Sequence, residues 1–340
     1  MTWFNTLLSG DQVEVVDLAN DWLASVSDVD AEHDDGSSVK ASFVESGLWS
    51  IGIDETWGGG GAPLELRLAA FVALGAHRPA LAWASAQAHA AVEALGAADA
   101  VNHVAALIDG IVSGQTPVCV VERSAPQTRL EITDGHATGS VDRIDPAGTS
   151  PALVILDGDE TAWLVQPPSV GSLVPLRRTG LAGASTSTAT VGGPADRLSG
   201  VPVPAIRARL HRAGAAIAAG IAVDAAERAI AYSTERVQFG APLRALPTVQ
   251  QSLATQSALA RECVTAVFDG DSLSPAGAAW SLRENVERAI SVAASSVQSH
   301  GGYGYIREYG VERLLRDAVS LRAATDVRSA FRASFDLIPG

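Results

Sequence analysis

The segment from Ala205 to Arg236 contains no proline, and its middle, from Ala213 to Ala222, is almost wholly alanine, glycine and isoleucine. Alanine is the strongest helix former, so the stretch reads as one long helix, roughly 48 Å at 1.5 Å per residue. Its small side chains leave no face able to stand alone against water. Such a helix is stable only where other helices approach it closely on several sides. The chain must therefore build a helical bundle around this segment.

Other segments supply the partners. Apolar residues recur at three- and four-residue spacing over Asp11–Leu23 and Ala41–Leu48, and again over Leu64–Leu74 and Ala80–Leu95 after the glycine run Gly58-Gly59-Gly60-Gly61. Asn102–Val112 reads as a further helix. The character changes near Pro117. Short apolar runs at Val118–Val121, Leu153–Leu156 and Ala162–Val165 are separated by Gly, Pro, Asp and Ser, as in an antiparallel β domain, which ends around Val203-Pro204. After the long helix, Pro247 interrupts, Thr248–Val267 and Ala278–Ser299 continue the helical pattern around a loop at Ser274–Gly277, and Val311–Phe335 contains a fourth helix. The expected fold class is α+β and mostly helical: an N-terminal helical domain (1–115), a middle β domain (116–203) and a C-terminal four-helix bundle (204–340).

Composition narrows the function classes. With 340 residues, 47% of them hydrophobic, the chain can bury sizeable cores in two or three domains. A net charge of −14 without a basic stripe speaks against nucleic-acid binding. No apolar run reaches the length of a membrane span. Met1–Asp30 has acids but no basic residue, so it lacks the start of a secretory signal. Cys119 and Cys263 form no spaced cluster, which points to buried thiols in a reducing compartment and to no metal site. A soluble, cytoplasmic protein is expected.

Two C-terminal segments are far more specific. One is Arg236-Val237-Gln238-Phe239-Gly240-Ala241-Pro242-Leu243, followed by Gln250. The other is Gln298-Ser299-His300-Gly301-Gly302-Tyr303-Gly304-Tyr305, running into Glu308-Tyr309-Gly310-Val311-Glu312-Arg313 and Arg316-Asp317-Ala318. Together they resemble the C-terminal domain of the acyl-CoA dehydrogenase family, and Ser46–Ile53 with Trp57–Gly61 matches its N-terminal turn more weakly. The resemblance implies an FAD enzyme that takes a proton from the α-carbon of an acyl-CoA and a hydride from the β-carbon, with an electron-transfer flavoprotein as acceptor. It implies that Arg236, Phe239, Gln298, Gly301 and Gly302 serve the pyrophosphate and adenine end of an FAD held mainly by a neighbouring subunit. A guanidinium forks onto phosphate oxygens, and glycine permits close backbone approach. The family's glutamine eleven positions after the arginine is replaced by Pro247.

The family's catalytic glutamate is missing at both places it can occupy. Counting along the motifs puts Thr325 at one and Leu210 at the other, and neither side chain can take a proton. Asp326, one residue on, is the nearest carboxylate. The segments that hold the flavin ring are also altered: Val121–Pro126 has no glycine, and Val141–Pro146 has no tryptophan. This one-sided loss resembles a non-catalytic subunit of the α2β2 heterotetrameric acyl-CoA dehydrogenases that act on CoA esters of steroid side chains, including those from cholesterol. Its partner would be a catalytic homologue that shares the FAD across the interface. Two alternatives stand beside this: a self-sufficient flavin oxidoreductase with Asp326 or Glu308 as base, and a structural or regulatory homologue without flavin.

Overall fold

The computed structural model describes residues 3–26, 37–98, 104–177, 179–269 and 274–335. Five helices come first: α1 (Gly10–Ser25), α2 (Ser37–Glu45), α3 (Leu64–His77), α4 (Pro79–Ala97) and α5 (Ala105–Val112). Ser9 caps α1 reciprocally with Gln12, and Pro79 opens α4 at its first turn, where a missing N–H costs nothing. Asn102, where the sequence pattern starts α5, lies outside the described residues.

Eight strands follow: β1 (Val118–Glu122), β2 (Thr128–Thr133), β3 (His136–Ile144), β4 (Ala152–Asp157), β5 (Thr161–Val165), β6 (Val170–Pro175), β7 (Ser187–Pro194) and β8 (Asp196–Ser199). They form two four-stranded sheets, β1-β4-β5-β8 and β2-β3-β7-β6. The antiparallel expectation holds with one exception: β1 and β4 run parallel, Val118 opposite Ala152. The connection between them carries β2 and β3 into the other sheet, which supplies the long crossover that a parallel pair requires. No apolar run marks strands β2, β3, β6, β7 and β8 in the sequence, because polar residues interrupt their apolar positions.

The apolar run in β4 is buried on both faces. Leu153 and Ile155 pack into the core between the sheets, against Val141 and Val191. Val154 and Leu156 face the other way, into a core shared with both helical blocks. Successive strand residues point to opposite faces, so one strand serves two cores.

The last block holds α6 (Val203–Glu235), a short hairpin of β9 (Val237–Gln238) and β10 (Ala241–Pro242), α7 (Pro247–Phe268), α8 (Pro275–His300), α9 (Val311–Ala324) and α10 (Val327–Phe335). Pro247 starts α7 rather than interrupting a helix, and Ser274 caps α8 through the N–H of Gly277. Val311–Phe335 is two helices, parted where Asp326 takes a left-handed φ of 45°. Helix α6 is the central element: α3 and α4 pack on it from one side, α7 and α8 from the other. Asn285, fully buried on α8, donates to the carbonyls of Ala215 (3.2 Å) and Cys263 (3.0 Å), tying α6, α7 and α8 together. Cys119 and Cys263 are both buried free thiols. No helix among the described residues is long and apolar enough to cross a membrane.

Candidate functional site

A crevice lies between the β1-β4 sheet, α4, α6 and the junction of α9 with α10. Leu210, Thr325 and Asp326 all line it. The two positions where a base is expected, far apart in sequence, thus converge on one place. Neither carries a group able to accept the α-proton. Leu210 is apolar, and Thr325 is buried with its hydroxyl donating to Leu321 O at 2.8 Å. Asp326 Oδ2 is buried without a hydrogen-bond partner among the described residues. Glu308 is exposed on the turn at Arg307–Tyr309 and does not line the crevice, which removes it as a candidate base.

The crevice is occupied by the chain's own ions. Arg143 at the end of β3 holds Asp145 through Nε (2.8 Å) and Nη2 (3.1 Å), and the same Nη2 donates to Ser320 Oγ of α9 at 3.1 Å. Thr186 donates to Asp145 Oδ1, the oxygen that also takes the Arg143 Nη2 bond. Gln87 of α4 donates to the Asp145 carbonyl (3.1 Å) and accepts from the Val120 N–H (3.2 Å). Arg207 of α6 forks onto Glu122 of β1 at 2.7 and 2.9 Å. What remains is a cavity of about 70 Å³, well below the roughly 300 Å³ at which small-molecule sites begin. A flavin ring does not fit between these residues as they stand.

Two buried histidines flank these helices. Burial, with Arg67 nearby, pushes His89 down to about 3, and burial beside Arg207 pushes His211 down to about 4. Both stay neutral in the folded chain, whereas an unfolded chain protonates them near pH 6.5. Their contribution to stability is complete above pH 6.5 and declines as pH falls toward 4. Denaturation at pH 7 and pH 4.5 should show this decline, and replacing both histidines with glutamine should shrink it. An unchanged decline would exclude them as its source.

The second group of predicted residues sits on the outer surface of the bundle. Arg236 ends α6, and its guanidinium lies 5.6 Å from the ring centre of Tyr303. Gln298, Gly301 and Gly302 are at the end of α8, just before Tyr303, with both glycines exposed. Phe239 is at the tip of the β9–β10 hairpin, 90% exposed and held at φ 54°, followed by Gly240 at φ 81°. Both positive φ values are those of a two-residue type I′ turn. Arg236 thereby meets the segment that follows Gln298, and none of these residues lines the crevice.

Residues 200–325 match the family described as "Acyl-CoA dehydrogenase, C-terminal domain". Over these residues the chain is similar to the C-terminal domain of that family. It is 41% identical over 110 residues to the probable acyl-CoA dehydrogenase YngJ of Bacillus subtilis, covering 31% of this chain and 29% of that protein. It is 35% identical over 111 residues to a cyclohex-1-ene-1-carbonyl-CoA dehydrogenase of Geobacter metallireducens, again covering 31% of this chain and 29% of the relative. The match thus spans less than a third of these curated relatives. The fold is shared over far more of the chain. A glutaryl-CoA dehydrogenase from Mycobacterium smegmatis superposes with a TM-score of 0.82 at 18% identity, covering 99% of this chain and 97% of the other.

Several residues acquire their roles only in three dimensions. Asp317 of the Arg316-Asp317-Ala318 motif accepts from the Leu181 N–H at 2.7 Å, clamping a loop of the β domain to α9. Gly180 of that loop lies so close that a Cβ would fall 2.1 Å from the Arg316 carbonyl. His300 is a buried anchor: Nδ1 is 2.8 Å from Ser296 O, and its ring stacks on Tyr232 at 4.4 Å. The flavin-ring segment of the resemblance falls on Val141–Pro146, but it does not mark Arg143 and Asp145 as an ion pair, although an arginine and an aspartate two apart at a strand end are the signal of a same-face pair.

Proposed function

We propose that this chain is the non-catalytic subunit of a heteromeric FAD-dependent acyl-CoA dehydrogenase, completing the flavin site of a catalytic homologue in an α2β2 assembly. The observation that carries the reading is the split between its two sites. The crevice lacks a glutamate at either base position and is filled by the Arg143–Asp145 and Arg207–Glu122 pairs, while Arg236, Phe239, Gln298, Gly301 and Gly302 remain accessible. An exposed phenylalanine in a left-handed conformation is costly for an isolated chain and fits a surface that another subunit covers. Val237, Tyr305 and Ile306 are exposed apolar residues as well.

The glutaryl-CoA dehydrogenase of the same fold has been solved with FADH2. A bound flavin supplies hydride acceptance at the β-carbon of an acyl-CoA. In this reading the partner provides the base, and this chain orients the dinucleotide through Arg236 and the glycines after Gln298. An electron-transfer flavoprotein would receive the electrons, in keeping with a fold neighbour reported under the electron-transferring flavoprotein of Acidaminococcus fermentans. The steroid side-chain specificity rests on the family resemblance alone.

Flavin absorbance tests the reading. The purified chain should be colourless, and co-expression with its catalytic homologue should give a yellow complex with about one FAD per pair of chains. Arg236→Ala should lower the flavin content of that complex. Unchanged flavin in that variant would favour a structural homologue that takes no part in cofactor binding. A second reading has one observation in its favour: Asp326 lines the crevice, and its Oδ2 has no hydrogen-bond partner among the described residues. A yellow isolated chain that bleaches with an acyl-CoA, and loses this response in Asp326→Asn, would replace the first reading with that one.

A further inference from the structure

A second cleft, of about 430 Å³, opens between residues 52–61, α3, α4 and α6. It is separate from the crevice. Trp83 and Gln87 of α4 face the crevice, whereas His89, Val92, Glu93 and Gly96 line the cleft. The latter are spaced three, four and seven residues apart, the pattern of the other side of the helix.

Arg67 of α3 is built into the wall of this cleft. Its methylenes take the space where a side chain at Gly52 would be, since a Cβ there would fall 1.5 Å from Arg67 Cδ. Nη1 makes a long bond of 3.4 Å to the Gly52 carbonyl. Nε is buried with no partner. Among the described residues, no carboxylate lies within ion-pairing distance of this guanidinium. The nearby acids are engaged or distant. Glu93 pairs with Arg209, and Asp54 accepts from the N–H and hydroxyl of Thr56 at 2.8 and 2.7 Å. Glu65 acts on Arg67 only through space.

A second arginine worsens the imbalance. Arg212 is 4% exposed, its Nε is also unpartnered, and its bond to the Val267 carbonyl is 3.5 Å. Burial first, then the charges of Arg209 and Arg212, lower Arg67 to about 10, so it remains a cation at neutral pH. A desolvated cation without a counterion is strongly unfavourable, and proteins rarely keep one without an anion to meet it. The remaining lining is mixed, with Asp54, Thr56, His89, Glu93 and Arg209 beside an apolar part. Ile53, Trp57 and Val92 form the walls, and Gly96 admits the indole, its missing Cβ lying 2.8 Å from Trp57 Nε1.

We propose that this cleft binds a small organic carboxylate, its oxygens on Arg67 and its compact apolar body against Trp57, Ile53 and Val92. The carboxylate head meets the Arg67 charge, and a compact apolar body covers Trp57, Ile53 and Val92, which inorganic phosphate would leave bare. The cleft is independent of the crevice and of the flavin reading.

Calorimetric titration of the full chain with benzoate, benzamide and inorganic phosphate tests it. Benzoate should bind saturably, and neutral benzamide, of the same shape, should not. Arg67→Gln should weaken benzoate by roughly tenfold or more, as expected for loss of a charge-assisted contact. Glu93→Gln should tighten it, because Arg209 is then released toward the ligand. This second variant decides the matter if Arg67→Gln does not fold. The proposal is overturned by absent benzoate binding, by equal benzamide binding, by phosphate binding in place of benzoate, or by affinity unchanged in Arg67→Gln. Unchanged or weaker binding in Glu93→Gln overturns it as well.

Discussion

Gly220→Val is expected to cost roughly 3 kcal/mol or more of stability, a large share of the roughly 5–15 kcal/mol typical of folded domains. A Cβ at Gly220 would lie 2.0 Å from the Val72 carbonyl and 2.8 Å from the Ala76 N–H. The contact is reciprocal: a Cβ at Gly75 of α3 would fall 2.4 Å from the Ile217 carbonyl of α6. Both neighbours are backbone, so no rotamer change relieves the clash and the two helices must separate. Separation uncovers the core that joins the N-terminal helices to the bundle. Chemical denaturation checks this, with Gly192→Ala as control, since nothing lies within 4 Å of a Cβ there. Equal midpoints for the two variants would mean that α3 and α6 are not in backbone contact.

The second large effect is expected at the plug of the crevice. Asp145 is 4% exposed and accepts from both Arg143 and Thr186. Its removal in Asp145→Ala leaves Arg143 without its counterion in a largely closed space. Breaking one side of a buried pair costs about 3–5 kcal/mol, more than the intact pair contributes, because the surviving charge stays desolvated. Replacing both partners with leucine should recover most of the loss, since apolar packing removes the uncompensated charge. A loss below about 1 kcal/mol in the single variant would place the pair among solvated surface ion pairs. The crevice would then be open enough to admit a ligand, against the closed geometry on which the proposed function rests.

Much of the fold is legible in residue types and their spacing. The alanine- and glycine-rich run from Ala213 to Ala222 dictates a helix that others must enclose, and α6 is enclosed by α3, α4, α7 and α8. The motifs around Arg236 and Gln298 locate the exposed face, and counting along them leads to Leu210 and Thr325, which the fold brings into one crevice. Local rules suffice for these features, because helix propensity, turn glycines and motif register are properties of neighbouring residues. The half-buried strands are harder: β2 and β6 mix polar and apolar residues, and no continuous apolar run marks them.

By itself the sequence determined the helical frame, the position of the β domain, the family motifs and the absence of glutamate at both base positions. Tertiary structure alone decided that the crevice is closed, that β1 and β4 pair in parallel, and that Arg67 has no carboxylate within ion-pairing distance among the described residues. The physical reason is separation along the chain. Arg143 meets Ser320 and Arg207 meets Glu122 only after the β domain has packed against α6 and α9. Whether a buried charge finds a partner depends on which layers come together, and no local pattern encodes that.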